Sequence, residues 1–175
     1  KNIISAGINA RSQINTIINT SYLFLGYREF GNLIGKKINK FKNESNEKNK
    51  LKNIIKTIKN EFSNRLIIID EVQNVRMTDN IEDKKVGQRL LELTKYALNV
   101  KLILLSATPM FNSYKEIIWL INLLNQNDKR RLISISEIFD SKGNFKVDDE
   151  GNEIGKELLI RKARGYVSFV RGDNP

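Results

Sequence analysis

The sequence predicts an α/β fold in which a parallel sheet is flanked by helices. Two runs of large aliphatic residues, RLIIID at 65–70 and VKLILLSATP at 100–109, have the continuous apolar pattern of strands buried on both faces. A helical pattern, KKVGQRLLELTKYAL at 84–98, lies between them. Strands that alternate with helices favour parallel pairing, because the helix carries the chain back to the end of the sheet where it started.

The elements before the first of these strands follow from hydrophobic spacing. Tyr22–Gly26 is predicted to be a short strand that leads into an amphipathic helix. A polar loop over 39–50 separates that helix from a second one, LKNIIKTIKNEF at 51–62. The segment 22–62 is therefore expected to contain one strand followed by two helices.

The elements after the second aliphatic run follow from capping and turn residues. SYKEIIWLINLLN at 113–125 predicts a helix, for which Ser113 and Glu116 match a capping box. Near 140–155 we expect an insertion that contains a hairpin around Glu150-Gly151. GYVSFV at 165–170 predicts a further strand.

Composition limits the chemistry that is open to the chain. The 175 residues contain no cysteine and no histidine, which excludes disulfides, thiol nucleophiles, His-based triads and nearly all zinc sites. A metal ion would have to be a hard one held by oxygen, such as Mg²⁺. No apolar run approaches the roughly 20 residues of a membrane span, so we expect no membrane partner.

Positive charge is concentrated in the first part of the chain. Residues 1–65 contain 13 Lys/Arg against 4 Asp/Glu, whereas residues 66–175 contain 17 against 16. A basic segment of this kind suggests a polyanion such as nucleic acid as its partner. An AT-rich coding sequence would also produce a chain so rich in Lys, Asn and Ile, so both explanations stay open.

Polar residues follow each of the two aliphatic runs. Asp70 and Glu71 come directly after the first run, and Ser106, Ala107 and Thr108 end the second. Ligands of open α/β sheets bind at the carboxyl ends of the strands, so these two groups are expected to converge on one crevice. Paired carboxylates there suit a magnesium–nucleotide site, in which one contacts the metal and the other handles the attacking water.

Several sequence blocks resemble a known family. DEVQ followed by SATPM resembles motifs II and III of the superfamily 2 helicases and translocases. The longer blocks DEVQNVRMTDN, LLSATPMFNSYKEIIWLINLLNQND and ARGYVSFVRGDNP resemble the helicase-like ATPases of nucleocytoplasmic large DNA viruses. That group includes the poxvirus early transcription factor subunit and nucleoside triphosphatase I, and it is related to the Swi/Snf ATPases. YLFLGYREFGNLI resembles the segment that these proteins carry before motif II.

The resemblance implies a role for each matching position. Asp70 would bind the magnesium of MgATP, usually through water, and Glu71 would orient and deprotonate the water that attacks the γ-phosphate. Gln73 stands where the viral relatives usually have histidine, and it would hydrogen-bond toward motif III or the γ-phosphate region. Ser106, Ala107 and Thr108 would form the motif that links the nucleotide state to movement on DNA.

The resemblance also implies a domain assignment. Residues 1–175 would be the later part of a first RecA-like, P-loop NTPase-type motor domain, and therefore an incomplete one. The sequence contains no GxxxxGK[ST] phosphate loop, so that loop is expected upstream and a second motor domain downstream. By itself such a fragment is expected to be inactive.

The function implied is that of a DNA-dependent ATPase, a helicase or translocase with ATP and Mg²⁺ as cofactors. DNA would be its main partner, with viral RNA polymerase or transcription factors as further partners, in the cytoplasmic viral factory or the virion. One alternative is a viral early transcription or termination factor subunit that does not separate strands. Another is a degenerate nucleic-acid-binding module without enzymatic activity.

Other residues that invite a functional reading have plainer explanations. Trp119 is expected in the core, and Gly31 and Gly35 are too sparse to form a phosphate loop. Arg76 is as well explained by a solvated turn as by a phosphate contact. The run 129–131 could contact a DNA backbone, although positive charge at a helix end is the commoner reason for such a run.

Overall fold

The structure, a computed structural model, describes residues 2–75, 81–110 and 113–169. Two strands and several helices form a mixed α/β fold. In chain order they are α1 (Asn2–Ser21), α2 (Tyr27–Ile38), α3 (Glu47–Phe62), β1 (Leu66–Ile69), α4 (Ile81–Tyr96), β2 (Lys101–Leu104), α5 (Lys115–Asn127), α6 (Ile135–Ile138) and α7 (Ile154–Ala163). No helix within the described ranges is long and apolar enough to cross a bilayer.

The sheet consists of β1 and β2, which pair in parallel as the sequence predicts. Leu66 lies opposite Lys101, and the register continues to Ile69 opposite Leu104. α4 is the helix of the connection between the two strands. The parallel arrangement therefore brings the carboxyl ends of both strands to one edge of the sheet.

The expectation that both faces of the sheet are buried is wrong for the described residues. Ile69 is 7% exposed, but Leu66 is 57% and Ile68 is 54% exposed. Successive side chains of a strand point to opposite faces, and the described helices cover only one of them. The continuous apolar pattern thus identified the strands without determining what covers their second face.

Three groups of buried side chains form the core. The first joins α2, α3 and α4, and the second joins the covered face of the sheet to α4 and α5. The third joins α5 to α6, α7 and the segment around Phe139. The fully buried members with the largest side chains include Ile34, Ile58, Leu90, Leu93, Ile121, Leu123 and Ile138.

Gly31 has a packing role in α2. A Cβ at this position would meet Val86 Cγ2 of α4 at 3.0 Å, so the absence of a side chain lets the two helices approach closely. Gly35 is buried on the same helix, one turn further along. Neither glycine belongs to a phosphate loop, in agreement with the sequence.

Two predicted strands are absent from the part of the chain that the structure describes. Residues 22–26 are irregular, and Leu23 and Phe24 are 74% and 76% exposed. Residues 165–169 form a turn and an irregular segment in which Phe169 is 81% exposed, and position 170 lies outside the described residues. A strand needs a neighbouring strand for its backbone hydrogen bonds, and neither segment finds one among the described residues.

Two similar turns occupy the predicted hairpin region. In the turns 140–144 and 148–152, the first residue is an aspartate whose Oδ1 accepts the N–H groups two and four residues later. The fourth residue is a glycine with φ near 88° or 86°. The asparagine that ends each turn is the main reason that the pKa of Asp140 and Asp148 is lowered. An isolated bridge, Phe139 to Phe145, replaces a hairpin ladder among these residues.

The start of α5 differs from the predicted capping box. Tyr114 occupies the N-cap position, and its side chain makes no capping hydrogen bond. Ser113 Oγ instead accepts the N–H of Lys115 at 3.2 Å. Ser113 therefore still accepts a free N–H group of the first turn, although it stands one residue before the N-cap and not at the N-cap itself.

Candidate functional site

The polar residues that follow β1 and β2 lie side by side. Past the strands, the Leu105 N–H donates to Ile69 O and the Val72 N–H donates to Leu105 O, both at 2.9 Å. These bonds continue the pairing of the two chains past the last strand residues. Glu71 and Ser106 are thereby held at the same edge of the sheet, where the sequence predicts that they converge.

One chain of hydrogen bonds joins the two groups. Gln73 Nε2 donates to Glu71 Oε2 at 2.5 Å, and Gln73 Oε1 accepts from Ser106 Oγ at 2.6 Å. Ser106 Oγ in turn accepts the Thr108 N–H at 3.1 Å. Gln73 is suited to the central position because its amide has both a donor and an acceptor. Thr108 takes part through its backbone.

The two carboxylates stand at an exposed and strained position of the backbone. Asp70 and Glu71 are both exposed, and Asp70 Oδ1 accepts the N–H of Glu71 at 3.0 Å. Glu71 has φ of 47°, in the left-handed region that residues with a side chain rarely adopt. Strain of this kind costs on the order of 1–3 kcal/mol and is concentrated at functional sites.

Tyr27, the first residue of α2, holds this strained peptide in place. Its hydroxyl donates to Asp70 O at 2.6 Å and lies 3.5 Å from Glu71 O. A residue 43 positions earlier in the chain thus fixes the backbone between the two carboxylates. Tyr27 was not among the predicted site residues, although it lies in the block YLFLGYREFGNLI, because its partner is a main-chain carbonyl.

The carboxylates fit one part of a magnesium site. Mg²⁺ commonly keeps several waters and binds one or two carboxylates together with substrate phosphates. Asp70 and Glu71 supply two adjacent exposed carboxylates, whereas the described residues contain no group of three or more acidic side chains that could hold a metal by itself. The donor set therefore suits a metal that arrives with a phosphate ligand better than a metal held by protein alone.

The residues that follow Ser106 are open to solvent. Ala107 and Pro109 are exposed, and Met110 is 53% exposed. Residues 111–112 lie outside the described part of the chain. The hydrogen bonds of Ser106 thus hold the start of this segment, and residues 107–110 are accessible to solvent.

Trp119 and the basic run 129–131 have structural roles. Trp119 is partly buried and packs against the second core cluster, as predicted. Lys129 Nζ donates to the carbonyl oxygens of Thr94, Lys95 and Ala97 at 2.8–3.2 Å, and so caps the end of α4. Arg131 pairs with Glu137.

Tyr166 and Phe169, three residues apart, differ in whether they pack against the rest of the fold. Tyr166 packs against the end of α5: its hydroxyl donates to Asp128 Oδ2 at 2.7 Å, and Arg130 lies 5.3 Å from its ring centroid. Phe169 does not pack against the described residues. Arg76 lies outside the described residues, so its candidate role stays a prediction.

Parts of viral proteins are similar to this chain. It is 32% identical over 178 residues to a protein of Acanthamoeba polyphaga mimivirus that is described as a candidate ATP-dependent RNA helicase, and the match covers 94% of the chain. A second mimivirus protein with the same description is 32% identical over 133 residues, which is 73% of the chain. A candidate helicase of Invertebrate iridescent virus 3 is 30% identical over 124 residues, or 69% of the chain.

The chain spans only 14%, 22% and 11% of the length of these three relatives, respectively. No family model and no solved structure matches it. These similarities relate the chain to segments of helicase-named proteins from giant and iridescent viruses.

Proposed function

We propose that this chain is part of a motor that couples MgATP hydrolysis to movement on DNA. The observation that carries the proposal is the hydrogen-bonded chain from Glu71 through Gln73 to Ser106 and Thr108. It joins a candidate hydrolytic carboxylate to the segment expected to move with the nucleotide state. The helicase names of the viral relatives support the same class of activity.

The two carboxylates have separate roles in this proposal. Asp70 would hold the magnesium of MgATP, and Glu71 orients the attacking water and accepts its proton. The metal, when bound, neutralises charge that develops on the phosphates. The hydrogen bond from the Tyr27 hydroxyl to the main-chain carbonyl of Asp70 fixes the direction in which the Glu71 side chain leaves the main chain. This positioning matters because a general base must lie within hydrogen-bond reach of the proton that it removes.

Gln73 and Ser106 couple the chemistry to movement. Gln73 can satisfy both Glu71 and Ser106 only while the ends of β1 and β2 keep their present spacing. A change at Glu71 on hydrolysis would therefore reach Ser106 through one side chain. Ser106 would pass it to Thr108 and the exposed segment that follows Ala107.

The chemistry proposed here needs parts beyond these residues. The sequence has no GxxxxGK[ST] motif, so the phosphate loop has to come from elsewhere in the full-length protein. We assign the chain to the later part of a RecA-like first motor domain that acts with a second one. We also propose that the activity serves viral transcription or genome handling in the cytoplasm; the virus origin of the relatives supports only the viral setting.

The test compares how duplex DNA and duplex RNA affect ATP hydrolysis by the full-length protein. ATP hydrolysis is measured alone and with duplex DNA or duplex RNA, together with ATP-driven strand displacement and displacement of a third strand from a triplex. We expect DNA to stimulate hydrolysis and ATP to drive displacement of the third strand. The names of the mimivirus relatives make RNA the informative comparison.

The outcomes separate the candidate functions. Third-strand displacement without duplex separation identifies a translocase or a transcription factor subunit, and duplex separation identifies a helicase. Stimulation by RNA alone would overturn the assignment to DNA. ATP hydrolysis that neither DNA nor RNA stimulates would overturn the proposal that the chain is part of a motor.

A further inference from the structure

A row of lysines runs along the solvent side of α3. Lys48, Lys52, Lys56 and Lys59 are all exposed and are spaced four, four and three residues apart. At 100° and 1.5 Å per residue, they lie within an arc of about 80° over a length of about 16 Å. We call these four residues the α3 lysine row.

Acidic residues of the same helix do not neutralise the row. Glu47, at the start of α3, pairs with Lys50, and Glu61, near its end, pairs with Lys37 of α2, both at 2.9 Å. Among the described residues, no member of the row forms an ion pair. The two acids of the helix are thus engaged by lysines that stand outside the row.

Positive charge continues past the end of the row. The pKa of Lys129 is lowered, first by burial and then by the nearby positive charge of Lys59. Lys129 is held in place by the carbonyl oxygens at the end of α4. Lys129 therefore adds positive charge near Lys59, at the end of the row, although Asp128 acts on the pKa of Lys129 in the opposite sense.

We propose that the α3 lysine row binds the phosphate backbone of nucleic acid. Duplex DNA carries one negative charge per roughly 1.7 Å of its axis, so about ten phosphates pass along a row about 16 Å long. Lysine ammonium groups act as point charges, which suits backbone contacts that do not depend on sequence. The row would anchor the polymer beside the motor and would be a surface distinct from the site at Glu71.

An anionic membrane is the other polyanion that such a row could meet, and the helix argues against it. A helix that lies in a membrane interface has a broad apolar face available for the lipid. The apolar side chains Ile58 and Phe62 of α3 are buried in the core instead. Leu51 is the large apolar residue that α3 exposes, at 47%.

The experiment measures binding of the full-length protein to random-sequence duplex DNA, without nucleotide, over a range of salt concentrations. The test variant carries Lys48→Gln, Lys52→Gln, Lys56→Gln and Lys59→Gln. Glutamine has nearly the helix propensity of lysine, and the positions are exposed, so the fold is expected to persist, as circular dichroism would show. The matched control carries Lys85→Gln, Lys101→Gln, Lys142→Gln and Lys146→Gln, which removes the same charge from exposed positions elsewhere.

Each phosphate contact contributes about 0.9 to the slope of log Kd against log salt, so loss of the row lowers that slope by up to about 3.6. We expect the control to keep most of the wild-type slope. Equal losses in both variants would overturn the proposal, because net charge alone would then explain binding. Binding to vesicles of anionic phospholipid that the row variant loses, while DNA binding persists, would overturn it too.

The inference rests on the proposed function only for its class of polymer. Because no ATP is present, the binding result does not depend on whether Glu71 is catalytic. If the protein binds DNA through the row but hydrolyses no ATP, the inference about the row is supported and the motor function is ruled out. If DNA stimulates hydrolysis but binding does not depend on the row, the motor function is supported and the inference about the row is ruled out.

Discussion

At the scale of single residues, Glu71 combines a functional side chain with an unfavourable backbone. Its φ of 47° is a conformation for which glycine would be the easier choice. Glycine has no carboxylate, however, so the chain keeps glutamate there and stabilises the conformation from outside. The Tyr27 hydroxyl and the Gln73 amide are the groups that do so.

The first prediction concerns Tyr27→Phe. The substitution removes the donor to Asp70 O and keeps the ring, so the free energy of unfolding should fall by about 1 kcal/mol. In the full-length protein we expect kcat for ATP to fall several-fold with little change in KM, since the hydroxyl positions Glu71 and is not expected to bind nucleotide. Urea unfolding and steady-state kinetics measure the two effects.

Tyr22→Phe is the matched control for this substitution. Tyr22 is 59% exposed, and its hydroxyl makes no hydrogen bond that the described residues reveal. The control should leave both the free energy of unfolding and kcat unchanged. A Tyr27→Phe protein that behaves like this control would contradict the positioning role.

The position of a residue along a strand was enough to predict which side chains lie together. Glu71 and Ser106 come shortly after the two aliphatic runs, and parallel pairing brings such positions to one edge of the sheet. Tyr27 escaped because its hydrogen bond joins segments 43 residues apart and ends on a carbonyl, which any residue possesses. The left-handed backbone at Glu71 also left no mark in the sequence.

At the scale of elements, the ends of β1 and β2 are linked twice. Backbone bonds through Leu105 continue the pairing beyond the strands, and the side chains of Gln73 and Ser106 add a second link. A side-chain link at the end of a short sheet can break and form again without unfolding the strands. This is the property that a coupling element requires.

A double-mutant cycle tests this link. Gln73→Ala and Ser106→Ala each remove the shared hydrogen bond, so their combined effect on the free energy of unfolding should be less than additive by about 1 kcal/mol. Ser106→Ala combined with Asn99→Ala is the control, because Asn99 precedes the opposite end of β2 and bonds Asn64 instead. Strict additivity in the first pair would show that the bond contributes nothing to stability.

Elements were predictable from the sequence when their pattern was local. The helices α2 to α5 follow from spacing of apolar residues, which depends only on the segment itself. The segments 22–26 and 165–169 have β-forming residues, yet a strand also needs a free edge beside it. Burial of the second face of the sheet is likewise decided by what else packs there.

At the scale of the whole molecule, the cores and the site are separated. The three clusters of buried side chains lie among the helices and on one face of the sheet, whereas Asp70 and Glu71 are exposed at its edge. The site is therefore open to a nucleotide and to further protein. Substitutions of its exposed side chains should change activity more than stability.

Glu71 is proposed to be the general base of an ATPase. The most direct test of this role is ATP hydrolysis by the full-length protein with duplex DNA, for wild type, Glu71→Gln and the control Glu157→Gln, an exposed glutamate of α7. The amide oxygen that Glu71→Gln introduces could still accept from Gln73, so the fold and nucleotide binding should persist. We predict that Glu71→Gln lowers hydrolysis by about 10²-fold or more, while Glu157→Gln is active. Hydrolysis at the wild-type rate by Glu71→Gln would rule out Glu71 as the general base.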